Sequence, residues 1–308
     1  MLIRLQESVR LRLGKWLDEH GGDQKSQTIA LSDAYRQGAA SSNVSLAAYV
    51  TTRMPATFAA VAAVLEQVQI VAPLSAPRTV LDVGAGPGTA SLAAMSAWPS
   101  VTDITMVETD KRFAALAAEL SPHAKILHQS FLQSQNPAEL VIAAYVFAEL
   151  PVAQMASAAL HLWAQTQGLL VIIEPGTPQG FARIRTARAA LITSGAHVIG
   201  PCTHANVCPM QGTDWCHFKT RLARSHAHMQ AKSAVVPFED ESYAWIAVAR
   251  QPHPLAHARV LAPPHVNKVA VTLKLCSAAG LTQSIIASRS KPAYKRAKKL
   301  RWGDSFDG

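Results

Sequence analysis

The sequence feature that most constrains the fold is residues 79–88, which read Thr-Val-Leu-Asp-Val-Gly-Ala-Gly-Pro-Gly. Thr79–Val83 is β-branched and apolar, which is typical of a buried parallel strand. The three glycines allow a tight turn and a close approach to a ligand, because they carry no Cβ atom. Thr89–Ala97 then predicts a helix whose first N–H groups face the turn. This strand–turn–helix unit predicts a nucleotide-type binding site.

A second acid supports this interpretation. Glu108 ends the next predicted strand and lies 20 residues after Gly88, a spacing that suits a carboxylate binding ribose hydroxyls in a doubly wound sheet. Dinucleotides and S-adenosylmethionine both bind this architecture. Asp82 stands just before the turn, where a carboxylate would repel pyrophosphate, so we favour S-adenosylmethionine; a tight turn without a ligand is the alternative. The predicted cofactor contacts are Asp82, Gly84, Gly86, Gly88 and Glu108.

Strand and helix patterns alternate after this unit and predict an α/β fold with a doubly wound parallel sheet. Its five strands are predicted at residues 79–83, 106–108, 125–129, 140–145 and 168–174. Further strands are predicted at residues 243–249, 269–275 and 284–287.

Helical spacing before the sheet, at residues 2–17, 28–37 and 45–71, predicts an N-terminal helical cap. We therefore divide the chain into a cap (1–75), a cofactor-binding domain (76–250) with a Cys-rich insertion (197–218), and C-terminal strands with a basic tail (251–308).

The chain has four cysteines, three of them within 15 residues of one another. Thiolates are ligands for zinc or for an iron–sulfur cluster. The looser spacing lacks the paired C-x₂₋₄-C knuckles of zinc sites and favours a closed cluster, while His204 and His217 keep a mixed zinc site open. Four unrelated buried thiols are the alternative. The predicted metal ligands are Cys202, Cys208, Cys216 and Cys276.

The net charge of +9 is concentrated near the C-terminus, where residues 289–301 hold seven basic side chains and no acid. Tyr294 and Trp302 stand beside these cations. Cations for phosphates and rings for stacking suit RNA, and a solvated basic tail is the alternative. The predicted RNA contacts are Lys291, Lys295, Arg296, Lys298, Lys299 and Arg301.

Composition also bounds the class of protein. The chain is 49 % hydrophobic and 16 % charged, which excludes a disordered chain. We find no apolar run near the roughly 18 residues of a membrane span. The N-terminus has no apolar signal core, and its acids argue against a transit peptide. We therefore expect no membrane partner and a cytoplasmic protein, or the mature form of an organelle one.

Several motifs together resemble a known family. They are Arg53-Met54-Pro55-Ala56-Thr57-Phe58-Ala59-Ala60, Leu81 to Gly88, Phe147-Ala148-Glu149-Leu150-Pro151, Ile173-Glu174-Pro175-Gly176 and the cysteine stretch 201–218. In this order they resemble the small-ribosomal-subunit methyltransferase-like family of bacteria and mitochondria, from about residue 45 to the C-terminus. Mitochondrial members of that family are assembly factors of the small subunit.

The resemblance implies a class I methyltransferase fold, S-adenosylmethionine on the glycine turn, a four-iron–four-sulfur cluster on the four cysteines, and binding to small-subunit ribosomal RNA. It implies the mitochondrial matrix for a eukaryotic member. The Asn/Asp-Pro-Pro-Tyr motif of amino-methylating enzymes is replaced after the fourth strand by Ala144-Tyr145-Val146-Phe147, so we assign no catalytic residue. Three functions stay open: a ribosomal RNA methyltransferase, a non-catalytic RNA-binding assembly factor that retains the cofactor pocket, or a zinc-binding methyltransferase.

Overall fold

The computed structural model describes residues 5–20 and 45–307. Its larger sheet contains five parallel strands: β1 (Thr79–Val83), β2 (Asp103–Val107), β3 (Lys125–Leu127), β4 (Ala138–Ala144) and β5 (Thr166–Pro175). They lie side by side in the order β3-β2-β1-β4-β5. The central strands β1 and β4 are almost wholly buried, as expected for parallel strands covered on both faces.

Antiparallel strands extend this sheet beyond β5. The edge is built from β6 (His197–Gly200), β7 (Phe218–Ala223) and the long β8 (Phe238–Ala249). Strand β8 pairs with β5, and both β6 and β7 pair with the far side of β8. A doubly wound sheet of order 3-2-1-4-5 followed by an antiparallel strand is the arrangement of class I methyltransferases. The predicted fold class is therefore confirmed.

Helices cover both faces of the sheet. In chain order they are α1 (Glu7–His20), α2 (Leu46–Val71), α3 (Thr89–Ala97), α4 (Lys111–Leu120), α5 (Met155–Gln165), α6 (Pro178–Thr193), α7 (His226–Ala231) and α8 (Lys291–Ala297). Asp110 caps the start of α4, since its carboxylate accepts a hydrogen bond from the Arg112 N–H at 2.8 Å. The helix predicted at residues 28–37 lies outside the described residues.

The long helix α2 packs inside the fold. It contains a π-helical segment, Tyr49–Arg53, followed by Met54–Val71 with Pro55 in its first turn. The sequence predicts a new helix at Pro55, and the structure shows a change of helix type within one continuous helix. Among the described residues, α2 alone is long and apolar enough to cross a membrane, although our reading of the sequence found no such run. More than half of its apolar stretch is buried within the fold, as in a core helix.

A second, antiparallel sheet follows the first. It consists of β9 (Ala258–Val260), β10 (His265–Val266), β11 (Ala270–Ser277), β12 (Gly280–Ala287) and β13 (Ser305–Phe306). It has its own small core, in which Leu273 and Leu275 of β11 pack with Ala297 of α8. The predicted domain limits at residues 75 and 250 stay a prediction.

Candidate functional site

The glycine turn lies where β1 ends and α3 begins. Gly84, Gly86 and Gly88 all have positive φ angles, of 62°, 55° and 83°. A Cβ atom on Gly84 would overlap the side chain of Val146, and one on Gly88 would lie 2.8 Å from the Met106 Cε atom. Glycine is therefore required here both by backbone conformation and by space. The turn sits at the carboxyl edge of the parallel strands, where open α/β sheets bind ligands.

Asp82 supports the turn from beneath. Its side chain is 1 % exposed, and one carboxylate oxygen accepts hydrogen bonds from the Ser91 N–H at 2.9 Å and the Ser91 Oγ at 2.8 Å. Burial raises the pKa of Asp82 to about 7 against the lowering effect of these bonds. The carboxylate therefore ties β1 to the first turn of α3. Whether it also contacts a cofactor stays a prediction.

Glu108 reaches the turn from the end of β2. Its Oε2 accepts a hydrogen bond from the Gly86 N–H at 2.8 Å, and its Oε1 accepts one from the Asp110 N–H at the same distance. Glu149 lies close by, since desolvation and the charge of Glu108 together raise the pKa of Glu149 to about 7. The structure thus brings Asp82, Glu108 and the three glycines together, and it adds Glu149.

A buried polar network follows the end of β4. Tyr145 has a φ of 63°, which is rare for a residue with a side chain. Its hydroxyl donates to Glu241 Oε1 at 3.1 Å, and the Arg53 guanidinium donates to both Glu241 oxygens at 3.0 and 3.3 Å. The sequence placed Arg53 and Tyr145 in motifs without giving either a role, because an ion pair 188 residues apart has no local signal.

Glu174 holds the same loop from β5. It is fully buried, and it accepts a hydrogen bond from the Phe147 N–H at 3.0 Å. Arg183 lies 3.4 Å away on the other carboxylate oxygen. Burial is the largest influence on Glu174 and raises its pKa to about 8. Glu174 therefore fixes the backbone that carries Tyr145 and Glu149.

The four cysteines converge on one cavity. Cys202, Cys208 and Cys216 come from the segment between β6 and β7, and Cys276 comes from β11 of the second sheet. Burial raises the pKa of Cys216 well above its usual value, with a further contribution from the other three thiols, and burial raises the pKa of Cys276 to about 11. Within residues 5–20 and 45–307, no three His, Cys, Asp or Glu side chains are arranged to hold a metal ion. The metal prediction therefore stays open, although its four residues are neighbours.

Two buried arginines, which the sequence reading missed, line the same cavity. Arg188 of α6 donates from Nε to the Cys202 Sγ atom at 3.2 Å and from a terminal nitrogen to the His204 carbonyl at 2.8 Å. Arg259 of β9 donates from Nε to the Pro201 carbonyl at 2.8 Å. The sequence signal that could have indicated Arg259 is its position between the apolar residues Ala258 and Val260 of a short strand.

The basic tail forms a folded surface. Tyr294 packs with the core of the second sheet, and its hydroxyl donates to the Asn267 carbonyl. In the described structure, the six predicted RNA contacts are all exposed and none of them forms a recorded ion pair with an acid. They are Lys291, Lys295, Arg296, Lys298, Lys299 and Arg301.

Comparison with known proteins gives one family match. The family model described as "Mitochondrial small ribosomal subunit Rsm22" matches residues 43–307. The human mitochondrial ribosome assembly protein METTL17 is 26 % identical over 284 residues, which cover 83 % of this chain and 61 % of that protein. The mitochondrial Rsm22-cox11 tandem protein 2 of Schizosaccharomyces pombe is 26 % identical over 320 residues, covering 84 % of this chain and 42 % of that protein. The chain thus spans less than two thirds of either relative.

Solved structures resemble the chain more distantly. A putative RNA methyltransferase from Pyrococcus horikoshii gives a TM-score of 0.42 at 16 % identity, over 62 % of this chain and 83 % of that one. The magnesium protoporphyrin IX methyltransferase of Synechocystis, solved with bound S-adenosylmethionine, gives 0.42 at 13 % identity, over 80 % of this chain and 99 % of that one.

Proposed function

The chain belongs to the Rsm22 family of mitochondrial small-ribosomal-subunit proteins, and on that premise we propose that it is an assembly factor of the small ribosomal subunit. It binds S-adenosylmethionine at the glycine turn, an iron–sulfur cluster at the four cysteines and ribosomal RNA at the basic tail. The observation that carries this proposal is the convergence of four thiols, distant in sequence, on one cavity between two sheets. Both relatives are named as mitochondrial, which supports the mitochondrial matrix over the cytoplasm.

The charge at the glycine turn supports S-adenosylmethionine over a dinucleotide. Glu108 accepts a hydrogen bond from the Gly86 N–H of the turn, and its charge raises the pKa of both Asp82 and Glu149. A pyrophosphate would add negative charge to this group of acids, whereas S-adenosylmethionine brings a sulfonium and an ammonium. When bound, it supplies an electrophilic methyl group. Gly86 leaves room for it, since a Cβ atom there would meet only the Tyr49 hydroxyl at 3.7 Å, and we expect Glu108 to bind the ribose hydroxyls.

Isothermal titration with S-adenosylmethionine tests this site. Gly86→Ala places a side chain on the turn at a φ of 55°, and Gly195→Ala places one at a φ of 85° in open space far from the turn. The two variants share the backbone strain, but only the first changes the site. We expect Kd to rise at least about tenfold in Gly86→Ala alone, since about 1.4 kcal/mol of lost binding suffices. Equal Kd values for S-adenosylmethionine in both variants would refute the proposed cofactor site at the glycine turn.

The chemistry of the cysteine cavity suits an iron–sulfur cluster. Cys202, Cys208, Cys216 and Cys276 provide the four thiolates that such a cluster needs, and the cationic Arg188 compensates their charge. When bound, the cluster would cross-link the segment between β6 and β7 to the second sheet through metal–sulfur bonds.

Metal analysis distinguishes the cluster from zinc. We expect anaerobically purified protein to be brown and to contain about four iron and four sulfide per chain. Cys276→Ser should lose iron, and Ser277→Ala, one residue along the same strand, should keep it. One zinc per chain in colourless protein would establish the zinc alternative.

The exposed lysines and arginines of the tail support RNA binding, because unpaired surface cations release counterions from phosphates. Lys298→Gln with Lys299→Gln should weaken binding to a small-subunit RNA fragment and reduce the salt slope by about 2. Lys111→Gln with Lys125→Gln removes the same charge at exposed positions elsewhere and is the control. Equal losses of RNA affinity in the two double variants would show that the tail is a solvated surface and not an RNA-binding site.

An RNA methyltransferase is the second candidate function, favoured by the intact glycine turn. The assembly factor is the candidate favoured by the end of β4, where Tyr145 is buried and its hydroxyl donates a hydrogen bond to Glu241. Expressing the Gly86→Ala variant in cells that lack the gene separates the two candidate functions. Restored small-subunit assembly without any change in ribosomal RNA methylation would refute the enzyme, and failed assembly with loss of one methyl mark would establish it.

A further inference from the structure

The two arginines of the cysteine cavity are buried without a carboxylate partner. Arg188 is 5 % exposed and Arg259 is 3 % exposed. In the described part of the chain, their hydrogen-bond partners are carbonyls, an amide, a hydroxyl and one thiol. The nearby acid Asp304 accepts instead from the Arg301 N–H. A buried guanidinium without an anion costs several kcal/mol, so this cavity is built for negatively charged contents.

The charge of the proposed contents matches that of the two arginines. Four thiolates around an iron–sulfur core with two positive charges, or around one Zn²⁺, carry two negative charges in total. The two guanidinium groups cancel them. Four neutral thiols would leave both buried cations unbalanced.

The geometry gives Arg188 a second effect. Its Nε lies 3.2 Å from the Cys202 Sγ atom, while its terminal nitrogen is held by the carbonyls of His204 and Asn206, both at 2.8 Å. The guanidinium is therefore fixed in place and donates directly to a ligand sulfur. Hydrogen bonds to sulfur are among the factors that set the reduction potential of a cluster.

We propose that Arg188 and Arg259 are the charge-balancing pair of the four-cysteine site, and that Arg188 is a positioning residue which holds Cys202 through its N–H···S bond. The inference rests on the proposed function, because it requires a metal centre on the cysteines. It adds two residues that no cysteine pattern reveals. A lysine at position 188 would keep the charge but lose the fork that joins the sulfur to the two carbonyls.

The test compares Arg188→Gln and Arg188→Lys with Arg185→Gln in anaerobically purified full-length chain. Arg185 lies on the same helix at the rim of the cavity and is exposed. We expect Arg188→Gln to lose metal to a chelator faster than wild type, because supporting residues of metal sites contribute about 10–100-fold to metal affinity. Its reduction potential should shift to more negative values, with a smaller shift in Arg188→Lys. Arg185→Gln should stay within about twofold of wild type in metal loss.

Thermal unfolding of loaded and metal-free protein separates this role from simple packing. A charge-balancing arginine stabilises mainly the loaded form, so Arg188→Gln should lower the melting temperature of loaded protein more than that of metal-free protein. Equal losses in both forms, or metal loss no faster than in Arg185→Gln, would overturn the inference while leaving the metal site intact. Wild-type protein without any metal would overturn the proposed metal site together with the inference.

Discussion

Replacing Asp82 by asparagine removes a carboxylate that the fold buries with no recorded ion pair among the described residues. The side chain is 1 % exposed, and burial moves its pKa from 3.8 to about 7. Because the folded pKa is the higher one, folding is favoured by the protonated carboxyl. The stability that protonation provides is complete below about pH 4 and is lost as the pH rises to about 7. Wild-type protein should therefore become less stable across this range, and Asp82→Asn should not show this part of the loss.

The size of the effect follows from the shift. About three pKa units at about 1.4 kcal/mol each give an upper value of about 4 kcal/mol. The positive end of α3 lowers the cost of the charge, because the carboxylate accepts from the Ser91 N–H in its first turn. Asparagine keeps an oxygen to accept the same hydrogen bonds. We expect Asp82→Asn to be about 1–4 kcal/mol more stable than wild type at pH 8 and equal to it near pH 4.

Equilibrium urea unfolding of both proteins between pH 4 and pH 8 measures this difference. Asp103→Asn, at an exposed position on β2, is the control and should follow wild type at every pH. A stability difference that does not vary with pH, or an Asp82→Asn protein that is less stable at pH 8, would refute the reasoning. The same variant also tests the sequence prediction for the cofactor. If Asp82 only supports the turn, the Kd for S-adenosylmethionine should stay within about threefold, and direct contact should raise it about tenfold or more.

Two further predictions concern the turn and the network beside it. Gly84→Ala combines a φ of 62° with an overlap on Val146. We expect it to lower the free energy of unfolding by about 1–3 kcal/mol and to abolish cofactor binding in calorimetry. Unchanged binding would refute the glycine turn as the cofactor site. Glu241→Gln breaks the buried ion pair with Arg53 while leaving an acceptor for the Tyr145 hydroxyl, and should cost about 3 kcal/mol in urea unfolding. Adding Arg53→Met should recover part of that loss, and a further loss would contradict the ion-pair explanation.

The elements that could be predicted from the sequence are those whose signals are local. Thr79–Val83 and Thr89–Ala97 match the predicted limits, because β-branched runs, positive-φ glycines and helix starts are specified within a few residues. The cap at Asp110 is local for the same reason. Strands β6 and β9 were missed because they are only four and three residues long, and β6 pairs with β8, which lies beyond β7 in the chain. Their pairing partners decide their structure, and a single sequence does not show those partners.

The direction in which side chains point explains why the other contacts of the site could not be predicted from the sequence. The sequence places Asp82 next to the glycine turn, but only the fold shows that its carboxylate points under α3 towards Ser91. The four cysteines could be grouped by counting, whereas Arg188 and Arg259 become their neighbours only when α6 and β9 pack against the same segment. Contacts between residues that are distant in sequence therefore need the structure.

Within the described residues, the glycine turn and the cysteine cavity differ in the sign of the ionisable groups buried beside them. At the carboxyl edge of the parallel strands, Asp82 is buried with a raised pKa, and Glu174, whose pKa is also raised, has Arg183 at 3.4 Å. Cations gather at the cysteine cavity, where Arg188 and Arg259 are buried without acids. A buried charge is unfavourable on its own and favourable with a partner of opposite sign. Under the proposed function, the turn beside Glu108 takes a cationic cofactor and the cavity beside Arg188 and Arg259 takes an anionic metal–thiolate group, and exchanging the two ligands would bring like charges together at both sites.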